Sequence, residues 1–173
     1  MRVSGRAFEA IQAFRGRRPR MDLFHSALTV RSDGADYVIE MTPAWGARDV
    51  ARGVVVEGPV TLRAAGAVRA FRYEVRRWRD GVIVDAATAV GGPLRVSDDP
   101  VVARRILALV PELPAPVWGR DELHAGGMWN SNSVAAWLLE RGGLDAGAIH
   151  PPAGGRAPGW RAGIVVARRQ PSG

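Results

Sequence analysis

Alternation of apolar and polar side chains predicts several β-strands along the chain. Residues 71–78, FRYEVRRW, alternate most regularly, as expected of a strand with one exposed face. Shorter apolar or β-branched runs predict further strands at residues 23–30, 37–41, 52–56 and 160–168. The turn-forming sequence RSDGAD at residues 31–36 joins the first two into a hairpin. We therefore expect one mainly antiparallel sheet.

Apolar residues at three- and four-residue spacing predict three helices, at residues 6–14, 101–110 and 131–141. The second has a start signal in SDDP, where Ser97 or Asp98 can cap the helix and Pro100 can occupy its first turn. The third has a face that should pack on the sheet, formed by Val134, Trp137 and Leu138. The order of these elements indicates an α+β fold with packed helices.

Length and charge predict two parts of unequal size. The 173 residues suffice for one domain with a hydrophobic core, expected at residues 21–173. All 24 basic residues are arginine, and residues 1–20 hold six of them with one glutamate, so this segment contributes +5 of the net charge of +7. We expect a basic, helical N-terminal segment here. A solvated tail is favoured over a nucleic-acid surface, which would spread arginines over a face among aromatic side chains.

Several classes of site are excluded by what the sequence lacks. The chain has no cysteine, which rules out disulfides, thiolate nucleophiles and cysteine metal sites. Its three histidines have no paired spacing typical of zinc ligands, and no glycine pattern of a nucleotide-binding loop is present, so we expect neither metal nor cofactor. Without an apolar run of membrane-spanning length or a secretory signal, a soluble cytoplasmic protein is expected.

Four small polar residues stand before the third predicted helix, in the sequence MWNSNSVAAWLL at residues 128–139. Asn130, Ser131 or Asn132 can each cap this helix. A helix start also presents free N–H groups and a partial positive charge, so a side chain there can attack a carbonyl while backbone amides stabilise the oxyanion. Capping and loop polarity alone are the alternative interpretation, which the local sequence leaves open.

The histidines are the candidate general bases. His124 and His150 lie in loops rich in glycine and proline, where a solvated histidine is the common outcome. His25 lies within the predicted strand 23–30, and Glu40, on the paired strand, can face it. A carboxylate beside an imidazole fixes its tautomer and stabilises the imidazolium. A buried, hydrogen-bonded structural histidine is the alternative.

The sequences FHSALTV, YVIEM and NSNSV carry His25, Glu40 and Ser131 in an order that resembles circularly permuted papain-like proteins. That group includes permuted NlpC-type peptidases and lecithin:retinol acyltransferase-like proteins, and the resemblance covers residues 21–168. In that group a histidine on an early strand comes first and a polar residue on the next strand orients it. The nucleophilic cysteine comes late, at a helix N-terminus. The resemblance implies a permuted papain-like fold with Ser131 at the cysteine position.

The resemblance departs from the family at the nucleophile. A serine hydroxyl is a far weaker acid than a thiol and needs general-base help during attack. The leading hypothesis is a hydrolase or acyltransferase that acts on an amide or ester bond through Ser131, His25 and Glu40. Two alternatives stay open: a catalytically inactive module that binds a ligand in the same cleft, and a basic nucleic-acid-binding domain.

The other polar residues of NSNS complete the predicted site. Asn130, Asn132 and Ser133 are candidates for substrate binding or oxyanion stabilisation, and Ser133 is also the fallback nucleophile. The expected partner is a small-molecule, lipid or peptide substrate, and nucleic acid is not expected. A weak contact with an anionic membrane through residues 1–20 is a further hypothesis.

Overall fold

The computed structural model describes residues 22–44, 53–83 and 92–170. The strands are β1 (Asp22–Leu23), β2 (Leu28–Ser32), β3 (Ala35–Pro43), β4 (Val54–Pro59), β5 (Arg72–Arg79) and β6 (Gly155–Arg156). The α-helices are α1 (Pro100–Leu109), α2 (Ser131–Arg141) and α3 (Trp160–Arg169). Short 3₁₀ turns lie at Ala64–Ala67, Arg69–Phe71, Val110–Glu112 and Ala146–Ala148. The predicted helix at residues 6–14 and the basic segment 1–20 lie outside the described residues.

The main sheet has four strands in the order β2-β3-β5-β4, and every neighbouring pair is antiparallel. The predicted α+β class with a mainly antiparallel sheet is confirmed. The β2–β3 hairpin closes through Asp33 and Gly34, both with positive φ, at 51° and 75°. A two-residue turn of this kind suits the twist of the strands it joins, and Asp-Gly is among its preferred sequences.

The predicted first strand at residues 23–30 is wrong in its extent. β1 pairs in parallel with β6, which lies late in the chain, whereas the hairpin ladder begins only at Leu28. The chain changes strand partner between these two ladders, so residues 24–27 belong to neither. His25 therefore lies in a connection between two strands rather than within one.

The hydrophobic core includes residues of the sheet and of all three helices. α1 contacts β2, α2 contacts β3, and α3 packs against α2. α2 is buried from Ser131 to Leu139, including the predicted packing residues Val134, Trp137 and Leu138. It is therefore a central helix that packs against α3 and β3 rather than a helix with one solvated face. α1 is capped by Asp99, whose side chain accepts a hydrogen bond from the Val101 N–H, and not by Ser97 or Asp98 as predicted.

The predicted strand at residues 160–168 is also wrong, because this segment forms α3. The Ile164-Val165-Val166 run favours a strand by local propensity. Packing against α2 decides otherwise, and the buried residues are Ala162, Gly163, Ile164, Val166 and Ala167. Small residues let the two helices approach closely, since a Cβ on Gly163 would collide with the Ser133 carbonyl. Within the described residues, no helix is long and apolar enough to cross a membrane.

Candidate functional site

The start of α2 is capped by Asn130 together with Ser133. The Asn130 side-chain oxygen accepts hydrogen bonds from the backbone N–H groups of Asn132 and Ser133, at 3.0 and 3.2 Å. In return, the Asn130 N–H donates to Ser133 Oγ at 3.2 Å. This reciprocal arrangement is a capping box, which here satisfies three backbone donors of the helix start. Ser131 takes no part in it.

Ser133 has a structural role at the start of α2. Its side chain is fully buried, and Oγ lies 2.9 Å from the carbonyl oxygens of both Met128 and Gly159. One hydroxyl proton is shared between these acceptors. The burial leaves Ser133 no surface that a substrate can reach, so its position does not support a role as substrate ligand or fallback nucleophile.

Ser131, the first residue of α2, lies against His25. Its Oγ is 2.6 Å from His25 Nδ1, and the two residues are 106 positions apart in the sequence. Ser131 is only 5% exposed, whereas His25 is exposed. When the neutral imidazole carries its proton on Nε2, the Ser131 hydroxyl donates to Nδ1. The predicted proximity of these two residues is therefore present, with Nδ1 as the nitrogen that faces the hydroxyl.

The side-chain amides beside Ser131 are bound within the protein. Asn130 Nδ2 donates to the Pro158 carbonyl at 2.9 Å. Asn132 Nδ2 donates to the same carbonyl at 2.9 Å and to the Phe24 carbonyl at 3.0 Å. The Ser131 N–H, by contrast, finds no acceptor within the described ranges of the chain. A backbone donor, rather than Asn130 or Asn132 as predicted, is thus available beside Oγ for an oxyanion.

Glu40 lies in an ion-pair network on the sheet. Its carboxylate is 3.3 Å from Arg76 Nη1, and Arg76 Nε also donates to the buried Glu74 at 2.6 Å. Glu40 and Arg76 are direct cross-strand partners in the β3–β5 register, which places both side chains on one face. No hydrogen bond or ion pair in the described structure joins Glu40 to His25. The predicted orientation of His25 by Glu40 is therefore not supported by a direct contact.

The other two histidines lie in exposed loops. His124 is exposed in a loop with a positive φ of 51°, and His150 is exposed before the Pro151-Pro152 segment. Within the described ranges, neither side chain makes a hydrogen bond or ion pair that would organise it for catalysis. Among the described residues, no group of three or more histidine, aspartate and glutamate side chains could hold a metal ion.

The loop at residues 155–159 is a part of the site that the sequence analysis missed. Its Pro158 carbonyl accepts from both asparagines, and Gly159 adopts a φ of 87° directly before α3. A Cβ on Gly159 would lie 2.6 Å from both Asn130 Oδ1 and Ser133 Oγ. A glycine directly before an apolar helical segment is a start signal that the sequence does contain.

Comparisons of the chain with protein-family models, curated proteins and solved structures give no match. The papain-like resemblance therefore stays a prediction, based on the order of His25, Glu40 and Ser131. Any functional interpretation rests on the geometry around Ser131.

Proposed function

We propose that the protein is a hydrolase or acyltransferase that acts on an amide or ester bond, with Ser131 as nucleophile and His25 as general base. The observation that carries this proposal is the 2.6 Å distance between Ser131 Oγ and His25 Nδ1. A hydroxyl within hydrogen-bond reach of a neutral imidazole nitrogen can transfer its proton as it attacks a carbonyl carbon.

The capping geometry supports a chemical role for Ser131. Serine is common at helix starts because its oxygen can cap free N–H groups. Here Asn130 and Ser133 perform that task, whereas the Ser131 hydroxyl contacts His25 Nδ1. Capping therefore does not account for the hydroxyl at residue 131.

In the proposed reaction, Ser131 Oγ attacks the substrate carbonyl and its proton passes to His25 Nδ1. The Ser131 N–H and the partial positive charge of the α2 start stabilise the oxyanion. Collapse of this intermediate breaks the bond to the leaving amine or alcohol, which takes the proton from His25. Water or an acceptor hydroxyl then gives its proton to His25 as it attacks the acyl-serine carbonyl. When this second intermediate collapses, the acyl–Oγ bond breaks, Ser131 Oγ takes the proton back from His25, and the product is released.

Glu40 takes no direct part in the proposed reaction. Its ion pair with Arg76 supports a structural role on the sheet, and a two-residue unit of nucleophile and base suffices for the proposed steps. The relationship to permuted papain-like proteins forms part of the proposal. It is supported by an early histidine next to a late nucleophile at a helix start, with an antiparallel sheet between them in the chain.

A fluorophosphonate probe tests the proposal because it reacts with activated serines. We expect labelling of the wild-type protein, located at Ser131 by mass spectrometry, and its loss in Ser131→Ala and His25→Ala. The matched control is Ser97→Ala, which removes an exposed serine that lies before α1. This variant should be labelled as fully as the wild-type protein. A folded wild-type protein that takes up no probe and hydrolyses no model ester would contradict the proposal and favour the inactive ligand-binding module.

A further inference from the structure

The backbone immediately before His25 is held on two sides. Residues 24–27 lie outside both sheets. The Phe24 N–H donates to the Arg156 carbonyl at 2.9 Å, which closes the β1–β6 pairing, and the Phe24 carbonyl accepts from Asn132 Nδ2 at 3.0 Å. The second bond ties the His25 segment directly to the first turn of α2.

Asn132 uses its amide differently from a capping residue. A capping asparagine accepts through its oxygen, as Asn130 does. Asn132 donates both Nδ2 protons, to the carbonyls of Phe24 and Pro158, while its buried Oδ1 has no partner in the described structure. The side chain is 3% exposed, so water does not compete for these bonds.

We infer that Asn132 is a positioning residue that sets the separation of Ser131 Oγ and His25 Nδ1. Asn132 follows Ser131 directly, and Phe24 precedes His25 directly. The Asn132–Phe24 and Ser131–His25 hydrogen bonds therefore run side by side between the same two short segments. The His25 segment moves away from α2 only when the Asn132 bond breaks.

The choice of asparagine follows from this geometry. One side-chain atom, Asn132 Nδ2, donates to two carbonyl oxygens, so that atom must carry two protons. Serine and threonine carry one hydroxyl proton, and an ionised aspartate carries none. Glutamine is one methylene longer, which a closely packed interior does not readily accommodate. The inference rests on the proposed function for the identity of the reacting pair.

The first test uses nitrogen NMR of the His25 ring in the protein with its native Ser131. The Nδ1 shift should change on Ser131→Ala, and Asn132→Ala should reproduce at least half of that change. The matched control is Ser133→Ala, which removes a buried hydroxyl from the same turn without touching Phe24. An unchanged Nδ1 shift in Asn132→Ala, or an equal change in Ser133→Ala, would overturn the inference.

The second test places a thiol at the nucleophile position with Ser131→Cys. His25 and the helix start should hold the thiol pKa below that of a free cysteine, measured from the pH dependence of iodoacetamide alkylation. Adding Asn132→Ala should raise this pKa by about one unit, which lowers the thiolate fraction about tenfold at a pH below both values. Adding Ser133→Ala instead should leave the thiol pKa unchanged. A thiol pKa that does not respond to Asn132→Ala contradicts the inference.

The two readouts separate this inference from the proposed function. If the thiol pKa of Ser131→Cys is not depressed but His25 still responds to Asn132→Ala in NMR, the proposed chemistry fails and the positioning role stands. If the pKa is depressed and independent of Asn132, the positioning role fails alone. Should Asn132→Ala not fold, as judged by circular dichroism, Asn132→Ser keeps one donor. It should then give intermediate values in both tests, and wild-type values would overturn the inference.

Discussion

The Ser133 hydroxyl lies 2.9 Å from the Gly159 carbonyl, which joins the first turn of α2 to the residue that precedes α3. The same hydroxyl lies 2.9 Å from the Met128 carbonyl and accepts from the Asn130 N–H. A single small side chain thus contacts three backbone groups and joins residues 128–133 to Gly159. Polar contacts as well as apolar packing hold the candidate site together.

Ser133→Ala should destabilise the fold. It removes the hydroxyl that contacts the Met128 and Gly159 carbonyls and accepts from the Asn130 N–H, and with it half of the capping box. We expect a loss of about 1–3 kcal/mol in the free energy of unfolding. Urea denaturation followed by tryptophan fluorescence measures it. Ser97→Ala, at an exposed serine, should change the same quantity by less than about 0.5 kcal/mol. Equal stability of the two variants would contradict the assigned role of Ser133.

The two neighbours Asn130 and Ser131 should respond differently to alanine. Asn130→Ala removes the acceptor for two helical N–H groups and should cost about 1–2 kcal/mol. Ser131→Ala leaves the cap intact and should cost less than about 0.5 kcal/mol, because the Ser131 hydroxyl contacts the exposed His25 and no group of the helix start. Thermal unfolding of both variants checks this. A Ser131 variant as unstable as the Asn130 variant would mean that Ser131 supports the helix start.

Gly159→Ala should lower the stability of the fold more than Gly154→Ala, the same replacement at a matched position. Gly159 combines a φ of 87° with buried polar atoms at 2.6 Å from the position of a Cβ. Gly154 has a similar φ of 79°, but no atom lies within 4 Å of its Cβ position. Both variants carry backbone strain of about 1–3 kcal/mol, and only Gly159→Ala adds a collision inside the capping box. Comparable melting temperatures would show that the close approach at Gly159 is absent.

Glu122 should contribute to the dependence of stability on pH. A hydrogen bond from Arg63, and then one from the Val117 N–H, hold the pKa of this carboxyl below its ordinary value. The ionised form is therefore favoured by folding. Its contribution is complete above the ordinary pKa of a glutamate and is lost as the pH falls through the lower value of the folded state.

Glu122→Gln tests this relationship because the amide removes the charge, while its one oxygen can still accept a hydrogen bond. The wild-type protein should be the more stable of the two at neutral pH, and the difference should shrink as the solution is acidified below the ordinary glutamate range. Urea unfolding at a series of pH values gives the comparison. A difference that stays constant down to low pH would contradict the assigned pKa shift.

Local sequence predicts the elements whose pattern is set by neighbours in the chain. The alternation at residues 71–78 corresponds to β5, the Asp33-Gly34 turn closes the first hairpin, and residues 131–141 match α2. Local sequence fails at residues 160–168, where β-branched residues favour a strand by themselves. The contacts with α2 that make this segment helical come from a distant part of the chain.

The candidate site was likewise predicted only in part from the sequence. The proximity of His25 and Ser131 followed from chain order in a resembling family, not from any local pattern around either residue. The partner of Glu40 could not be inferred, because cross-strand register brings Arg76 opposite it from more than thirty positions away. The roles of Asn132 and Pro158 depend on two loops that meet only in the folded chain.

The parallel pairing of β1 with β6 also sets when the site can exist during biosynthesis. Asp22 pairs with Gly155 and Leu23 with Arg156, and the bonds from α2 to the His25 segment span 106 and 108 residues. A ribosome-bound chain that has not yet extruded residues 155–159 contains Ser131 and His25 but lacks the loop that pairs with the His25 segment. The candidate site can therefore assemble only after these residues have left the ribosome and joined the fold.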